Sequence, residues 1–307
     1  MDGSKRPEPA PMVRKTAHDF DQELLVLFDA YVHGAIDRRV FLRRAGKYAV
    51  GGVTAAMLLD QLSPKFAEAQ VVKPDDQRIA AESIEYESPQ GSGTMRGYFV
   101  RRAKTTGKLP GILVIHENRG LNPHIEDVAR RVALENFVAF APDALFPLGG
   151  YPGTEDKARE LFQKLDQTKT REDFVAAAAF LKARPECTGR IGAVGFCYGG
   201  GIVNFLATRL RTDLRAGVPF YGSAPASEDV AKIKCPLMVQ SAEVDERINA
   251  GWPEFEQALK AAHIKYQRFL YPGTQHGFNN DTTPRYDAAA AKLAWERTMA
   301  FFNKHVR

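Results

Sequence analysis

Gly195-Phe196-Cys197-Tyr198-Gly199 decides how this chain folds. Before it comes Arg190-Ile191-Gly192-Ala193-Val194, a short apolar run with strand character. After it, Gly200-Gly201-Ile202-Val203-Asn204-Phe205-Leu206-Ala207 reads as the start of a helix. Glycines on both sides of the central residue let the backbone reverse sharply between strand and helix. That geometry holds the central side chain on strained backbone at the edge of a sheet, presented for reaction. Serine is the usual occupant of such a turn, and here it is Cys197.

Outward from this turn the pattern alternates. Ser83-Ile84-Glu85-Tyr86 and the run 95–100 flank Pro89-Gln90-Gly91-Ser92-Gly93, which predicts an antiparallel hairpin. Strands are predicted at 111–115, 137–140, 191–196, 216–221, 236–240 and 266–271. Helices are predicted at 125–135, 155–165, 171–183, 252–262 and 286–305. Strands alternating with helices imply an α/β fold with a mainly parallel sheet covered on both faces. Sites in such sheets lie at the carboxyl ends of the strands.

Three of those ends carry reactive side chains. Cys197 follows one strand, Ser241-Ala242-Glu243-Val244-Asp245-Glu246-Arg247 the next but one, and Pro272-Gly273-Thr274-Gln275-His276-Gly277-Phe278 the last. Nucleophile, acid and histidine in that order match the arrangement of α/β-hydrolases. The set suits acyl transfer. A thiolate attacks a carbonyl carbon, His276 handles its proton, and Asp245 fixes the ring tautomer, with Glu243 and Glu246 as competing acids. The loop after the early strand, Val114-Ile115-His116-Glu117-Asn118-Arg119-Gly120, offers the backbone amide of Asn118 as an oxyanion donor beside that of Tyr198. Glu117 stands at the strand end facing the same cleft, as a cap, a salt-bridge partner or a site residue. His18, His33, His263 and His305 match no such constellation and are expected to be surface or packing residues. His124 is expected to neighbour a helix cap.

The first 79 residues differ. Positions 1–15 are polar and proline-rich, and 19–32 reads as an amphipathic helix. Asp37-Arg38-Arg39-Val40-Phe41-Leu42-Arg43 resembles a twin-arginine export signal. It leads through an apolar run at 45–59 to Ala67-Glu68-Ala69, so the signal-like stretch spans 37–69. The competing expectation is a pair of helices packed on the main domain or on a partner chain, which would make the extension a surface for self-association. Two domains follow: a helical extension at 1–79 and a catalytic α/β domain at 80–307.

Composition narrows the classes. A net charge of +5 without an aromatic-interleaved basic stripe argues against nucleic-acid binding. The apolar run is too short and interrupted for a membrane span. Three cysteines, Cys187, Cys197 and Cys235, form neither a disulfide framework nor a metal-ligand spacing, so no metal or cofactor is expected. Cys187 and Cys235 are expected to be packing residues. A reactive thiol favours the reducing cytosol, with twin-arginine export to the periplasm as the alternative.

With these residues in view, the chain from about 82 to 307 resembles the dienelactone hydrolase family. The resemblance runs through His116-Glu117-Asn118-Arg119-Gly120, Gly195-Phe196-Cys197-Tyr198-Gly199-Gly200, Phe220-Tyr221-Gly222, Asp245 and His276-Gly277-Phe278. Residues 116–132 and 47–52 resemble an enterobacterial subgroup that also carries the helical extension. The resemblance implies an α/β-hydrolase fold, a Cys-Asp-His triad, and an ester or lactone substrate cleaved through a Cys acyl-enzyme. It also implies that Glu117 helps to activate the thiol. Family members hold a substrate carboxylate with arginines, one of them four residues after the histidine; here that position is Asn280. Arg119, Arg159, Arg247 and Arg285 are the candidate replacements. A non-catalytic binding protein on the same fold and a thioesterase or cysteine peptidase are the alternatives.

Overall fold

The computed structural model describes residues 15–307, so the proline-rich start falls almost wholly outside the described residues. Four helices come first: α1 (Gln22–Val32), α2 (Arg38–Ala45), α3 (Ala55–Leu62) and the short α4 (Phe66–Ala69). The remainder runs β1 (Ile79–Ser88), β2 (Gly93–Arg102), β3 (Leu109–Ile115), α5 (Pro123–Leu134), β4 (Val138–Pro142), α6 (Glu155–Phe162), α7 (Gln167–Ala183) and β5 (Cys187–Phe196). Then come α8 (Tyr198–Leu210), β6 (Leu214–Phe220), β7 (Leu237–Val244), α9 (Glu246–Asn249), α10 (Trp252–Ala261), β8 (Tyr266–Gln275) and α11 (Ala288–His305).

The eight strands form one sheet in the order β1-β2-β4-β3-β5-β6-β7-β8. The β1–β2 hairpin and the β2–β4 pairing are antiparallel; from β4 to β8 every pairing is parallel. Parallel strands are buried on both faces, and the sequence supplies continuous apolar runs for them, such as Ile112, Leu113, Val114 and Ile115, all fully buried. One core lies between the sheet and helices α5 and α11, a second between the sheet and α7, α8 and α10.

Helix starts follow local chemistry. The side chains of Asp21, Asp37, Thr54, Asn122, Asp166 and Asp287 each accept a hydrogen bond from an early amide of α1, α2, α3, α5, α7 and α11 respectively. Each satisfies a donor that has no intrahelical acceptor. Asp37, the acid of the signal-like motif, is therefore also the cap of a packed helix.

Helices α1, α2 and α3 enclose a third core of Leu24, Leu25, Phe28, Tyr31, Phe41, Ala45, Leu58, Leu59 and Leu62. The run 45–59 is not one continuous apolar helix, since Gly51 and Gly52, both at positive φ, separate α2 from α3. Among the described residues, no helix is long and apolar enough to cross a membrane. The helical unit meets the α/β domain mainly through polar contacts. Lys65 N donates to Thr282 O at 2.8 Å, Val71 and Val72 amides donate to Asp127, and Arg130 donates to Val72 O at 2.7 Å.

Phe41 is wholly buried, with ring centroids 6.2 Å from Phe28 and 5.2 Å from Tyr31. Phe41→Ala is expected to destabilise the extension by about 3–5 kcal/mol. Hydrogen exchange should show protection lost across 22–62 while the central strands keep theirs. Equal loss in both regions would mean that the extension has no core of its own.

Candidate active site

Every strand end named from the sequence converges on one cleft. Cys197 sits between β5 and α8 with φ 56° and ψ −113°, a left-handed conformation that a non-glycine residue adopts only when its surroundings impose it. Here the neighbours impose it by close packing. A Cβ on Gly195 would lie 2.2 Å from Gly199 O, and one on Gly199 would lie 2.3 Å from Ile115 O. The Cys197 amide is anchored by donation to Phe220 O at 3.0 Å. Tyr198 is the first residue of α8, so its amide lacks an intrahelical acceptor.

Asp245 caps α9 at the end of β7, and His276 follows β8 directly. His276 Nδ1 donates to Asp245 Oδ2 at 2.6 Å, and both residues are buried. The competing acids are elsewhere: Glu243 accepts from Gly273 N at 2.8 Å and is exposed, as is Glu246. His276 Nε2 is buried without a conventional hydrogen-bond partner. It shares the cleft with the Cys197 sulfur, and the tyrosine ring of Tyr221 packs 4.9 Å from the imidazole.

His33 corrects the expectation of a surface or packing residue. It caps the carboxyl end of α1, and its Nε2 lies 3.3 Å from Cys197 Sγ. Its Nδ1 donates to Asp29 O at 2.8 Å and lies 3.2 Å from Asp29 Oδ2. Reactive atoms of His33, Cys197 and His276 all lie within 4.8 Å of one another, and no other such cluster of three His, Cys, Asp or Glu occurs among the described residues. The Asp29-His33 spacing of i, i+4 was a visible signal of a paired histidine on one helix face. Nothing in the sequence said which surface that face would meet. His124 is likewise more than a cap neighbour: it is buried, with Nδ1 3.2 Å from Asp281.

Burial alone would push the Cys197 thiol up, but the imidazoles of His276 and His33 outweigh it and hold the thiol well below its ordinary range. Conversely, burial disfavours charge on His276, while the Cys197 sulfur and the Asp245 hydrogen bond raise it. Both shifts favour the charged forms, thiolate on Cys197 and imidazolium on His276. The other two thiols lack such partners: burial pushes Cys235 up to about 12 and also raises Cys187.

Glu117 makes no hydrogen bond to the sulfur. It accepts a hydrogen bond from Asn280 Nδ2 at 3.0 Å and lines a cavity of about 50 Å³ with Cys197, His33 and His276. Asn118 donates its side-chain amide to Val32 O at 3.0 Å, tying the early loop to the end of α1. His116 is neutral in its wholly buried position, where burial brings it down to about 4, and its Nε2 accepts from Ala144 N at 3.1 Å. Arg119, Arg159, Asn280 and Arg285 line the same cavity. Arg119 pairs with Glu155, Arg159 lies 3.9 Å from the Tyr31 ring centroid, and Arg285 pairs with Asp29 at 3.0 Å. Arg247 is exposed and reaches His33 Nε2 at 3.2 Å and His276 Nδ1 at 3.4 Å. It lines an outer pocket of about 290 Å³ with Cys197, Phe162, Tyr198, Tyr221 and Ser223.

Comparison with known proteins agrees with this architecture. The dienelactone hydrolase family model matches residues 95–306, and a separate YqhI-like model matches 12–49. A protein of Escherichia coli K12 named "Putative hydrolase fragment YghX" is 55% identical over 116 residues, covering 38% of this chain and 99% of that protein. A Synechocystis protein named "Putative carboxymethylenebutenolidase" is 32% identical over 219 residues, covering 66% of this chain and 88% of its own length. The solved structure of a Klebsiella pneumoniae protein titled "Putative Dienelactone Hydrolase" superposes with a TM-score of 0.65 at 27% identity. That match covers 74% of this chain and all of the other. With its fold, its elbow and a family match over most of its length, the chain belongs to the dienelactone hydrolase family and is a hydrolase of the α/β-hydrolase fold.

Proposed function

We propose that the protein hydrolyses a small ester or lactone through a covalent thioester on Cys197. The observation that carries this reading is a thiol at a strained strand-to-helix turn, beside a buried His276–Asp245 pair with Nδ1 to Oδ2 at 2.6 Å. The thiolate adds to the carbonyl carbon, and the amides of Asn118 and Tyr198 receive the oxyanion. Collapse breaks the C–O bond, and the His276 imidazolium protonates the departing oxygen. Water then gives a proton to the neutral imidazole while its oxygen attacks the thioester, expelling the thiolate. Asp245 holds the ring for both transfers.

Glu117 acts in this scheme from across the inner cavity, oriented by Asn280. Asn280 also accepts from Thr282 N at 3.0 Å, so both ends of its amide are engaged. This supports an orienting role for Asn280 and not that of a carboxylate anchor. Arg119, Arg159 and Arg285 are similarly held by partners in the chain. Arg247 also contacts Asp29, His33 and His276, but it is the one of the four that stays exposed at the outer pocket, so it is the candidate that best suits an acidic group on a substrate. A pocket of about 290 Å³ favours short acyl chains over long ones.

Cys197→Ala is expected to abolish hydrolysis of short acyl p-nitrophenyl esters and of a lactone panel. Retention of wild-type turnover would overturn the covalent mechanism. Asp245→Asn should lower kcat by about 10²–10⁴-fold with a smaller change in KM.

Alkylation by iodoacetamide gives a second check. Thiolate reactivity rises as pH passes the thiol pKa, and the Cys197 pKa is depressed. Its labelling should therefore reach half-maximum well below the ordinary cysteine value of about 8.5. Cys187 and Cys235 should stay unlabelled until higher pH, as peptide mapping would show.

A further inference from the structure

Beyond His276 and Asp245, the helical extension delivers a second aspartate–histidine pair to the same sulfur. His33 Nε2 lies 3.3 Å from Cys197 Sγ, and its Nδ1 faces the Asp29 carbonyl at 2.8 Å and carboxylate at 3.2 Å. Asp29 is itself held by Arg285 at 3.0 Å, with Arg247 at 3.9 Å. The rings of His33 and His276 meet edge to face, with centroids 4.7 Å apart and an interplanar angle of 87°. The two pairs thus approach one thiol from opposite parts of the chain.

The position of His33 is held by more than its own contacts. Val32 O accepts from the Asn118 side chain, and Tyr31 O accepts from Arg159 at 3.1 Å. The Tyr31 hydroxyl donates to Asp156, and Arg38 pairs with the same carboxylate. The end of α1 is therefore clamped by the loop after β3 and by α6 of the α/β domain. That clamp makes His33 part of the cleft wall, lining both the inner cavity and the outer pocket.

Resting on the Cys197 reading above, we propose that His33 is a second catalytic histidine, oriented by Asp29 and exchanging a proton with Cys197. The hydrolase site is complete only when the extension is docked.

Its chemistry follows from the groups that face it. Burial works against a proton on His33, but Cys197 at the elbow and Asp29 on its own helix outweigh it and raise the imidazole above its ordinary range; His276 beside the last strand opposes them. The Arg247 guanidinium also faces Nε2, at 3.2 Å. Donation from Nδ1 to Asp29 leaves the Nε2 lone pair toward the thiol. When the thiol ionises, one ring takes its proton and returns it to the leaving oxygen as the C–O bond breaks. The other ring stays neutral and accepts a proton from the water that attacks the thioester. With a single histidine, both transfers fall to one ring in succession. The carboxyl end of α1 also favours positive charge at this position.

The test compares full-length wild type, His33→Gln, His33→Ala and Cys197→Ala, with melting curves to confirm folding. Iodoacetamide labelling of Cys197 across pH reads the thiolate whether or not the protein hydrolyses esters. Stopped-flow release of p-nitrophenol separates acylation from deacylation. Both His33 variants should move the Cys197 labelling midpoint to higher pH by about one unit. They should lower kcat by about 10–100-fold with little change in KM. Asp29→Asn should show the same effects more weakly. A wild-type labelling midpoint and wild-type kcat in His33→Gln would overturn the inference while leaving the Cys197 mechanism standing. Full activity in Cys197→Ala would instead remove the covalent mechanism, and the labelling midpoint would still judge the His33–Cys197 contact.

Discussion

The left-handed backbone at Cys197 is the constraint on which the rest of this structure depends. An L-amino acid accepts that conformation only where the surroundings make every alternative worse. Here β3, β5, β6 and α8 approach so closely that Gly195 and Gly199 have no room for a Cβ, and Gly222 is pressed against Gly200 in the same way. The strain at one residue is thus held by the packing of the central strands. The result is a sulfur at the apex of the sheet edge with the first turn of a helix behind it. Every other reactive group is placed relative to that apex.

Around the sulfur, electrostatics and burial oppose one another. Burial disfavours both the thiolate and the imidazolium, yet each ion is the other's nearest compensation. Asp245 stabilises the pair from behind His276, and Asp29 does so from behind His33. Arginines balance the second carboxylate, since Arg285 pairs directly with Asp29. The cleft is therefore a network of alternating charges. The small inner cavity is polar for the same reason: its carboxylates and guanidinium groups are largely occupied with one another.

The extension forms part of the cleft of this α/β domain, with His33 lining both of its pockets. Its apolar residues form their own core, and its contacts with the main domain are mostly hydrogen bonds and ion pairs. Such an interface depends on geometry more than on buried apolar area. It places the end of α1 against the loop after β3 and against α6, where Arg159 and Asp156 receive it. Twin arginines that read as a targeting signal in sequence lie in the first turn of a packed helix, and Phe41 of the same motif fills the extension's core.

Much was legible without a structure. The glycine spacing about Cys197, the apolar runs of the parallel strands and the order Cys197, Asp245, His276 are local or near-local facts. Strand ends at one edge of a sheet bring such residues together whatever the loop lengths. Short-range chemistry also set the helix starts, because aspartate, asparagine or threonine could cap them. The choice of Asp245 over Glu243 and Glu246 needed the turn at the end of β7, where only one of three neighbouring carboxylates faces His276. Asn280 could be seen to replace an arginine, but its use as the partner of Glu117 depended on two loops 163 residues apart in sequence. His33 was the least legible of all. Its pairing with Asp29 is written in one helix, whereas its contact with Cys197 spans 164 residues and depends on docking a separate core through polar contacts that no periodicity records.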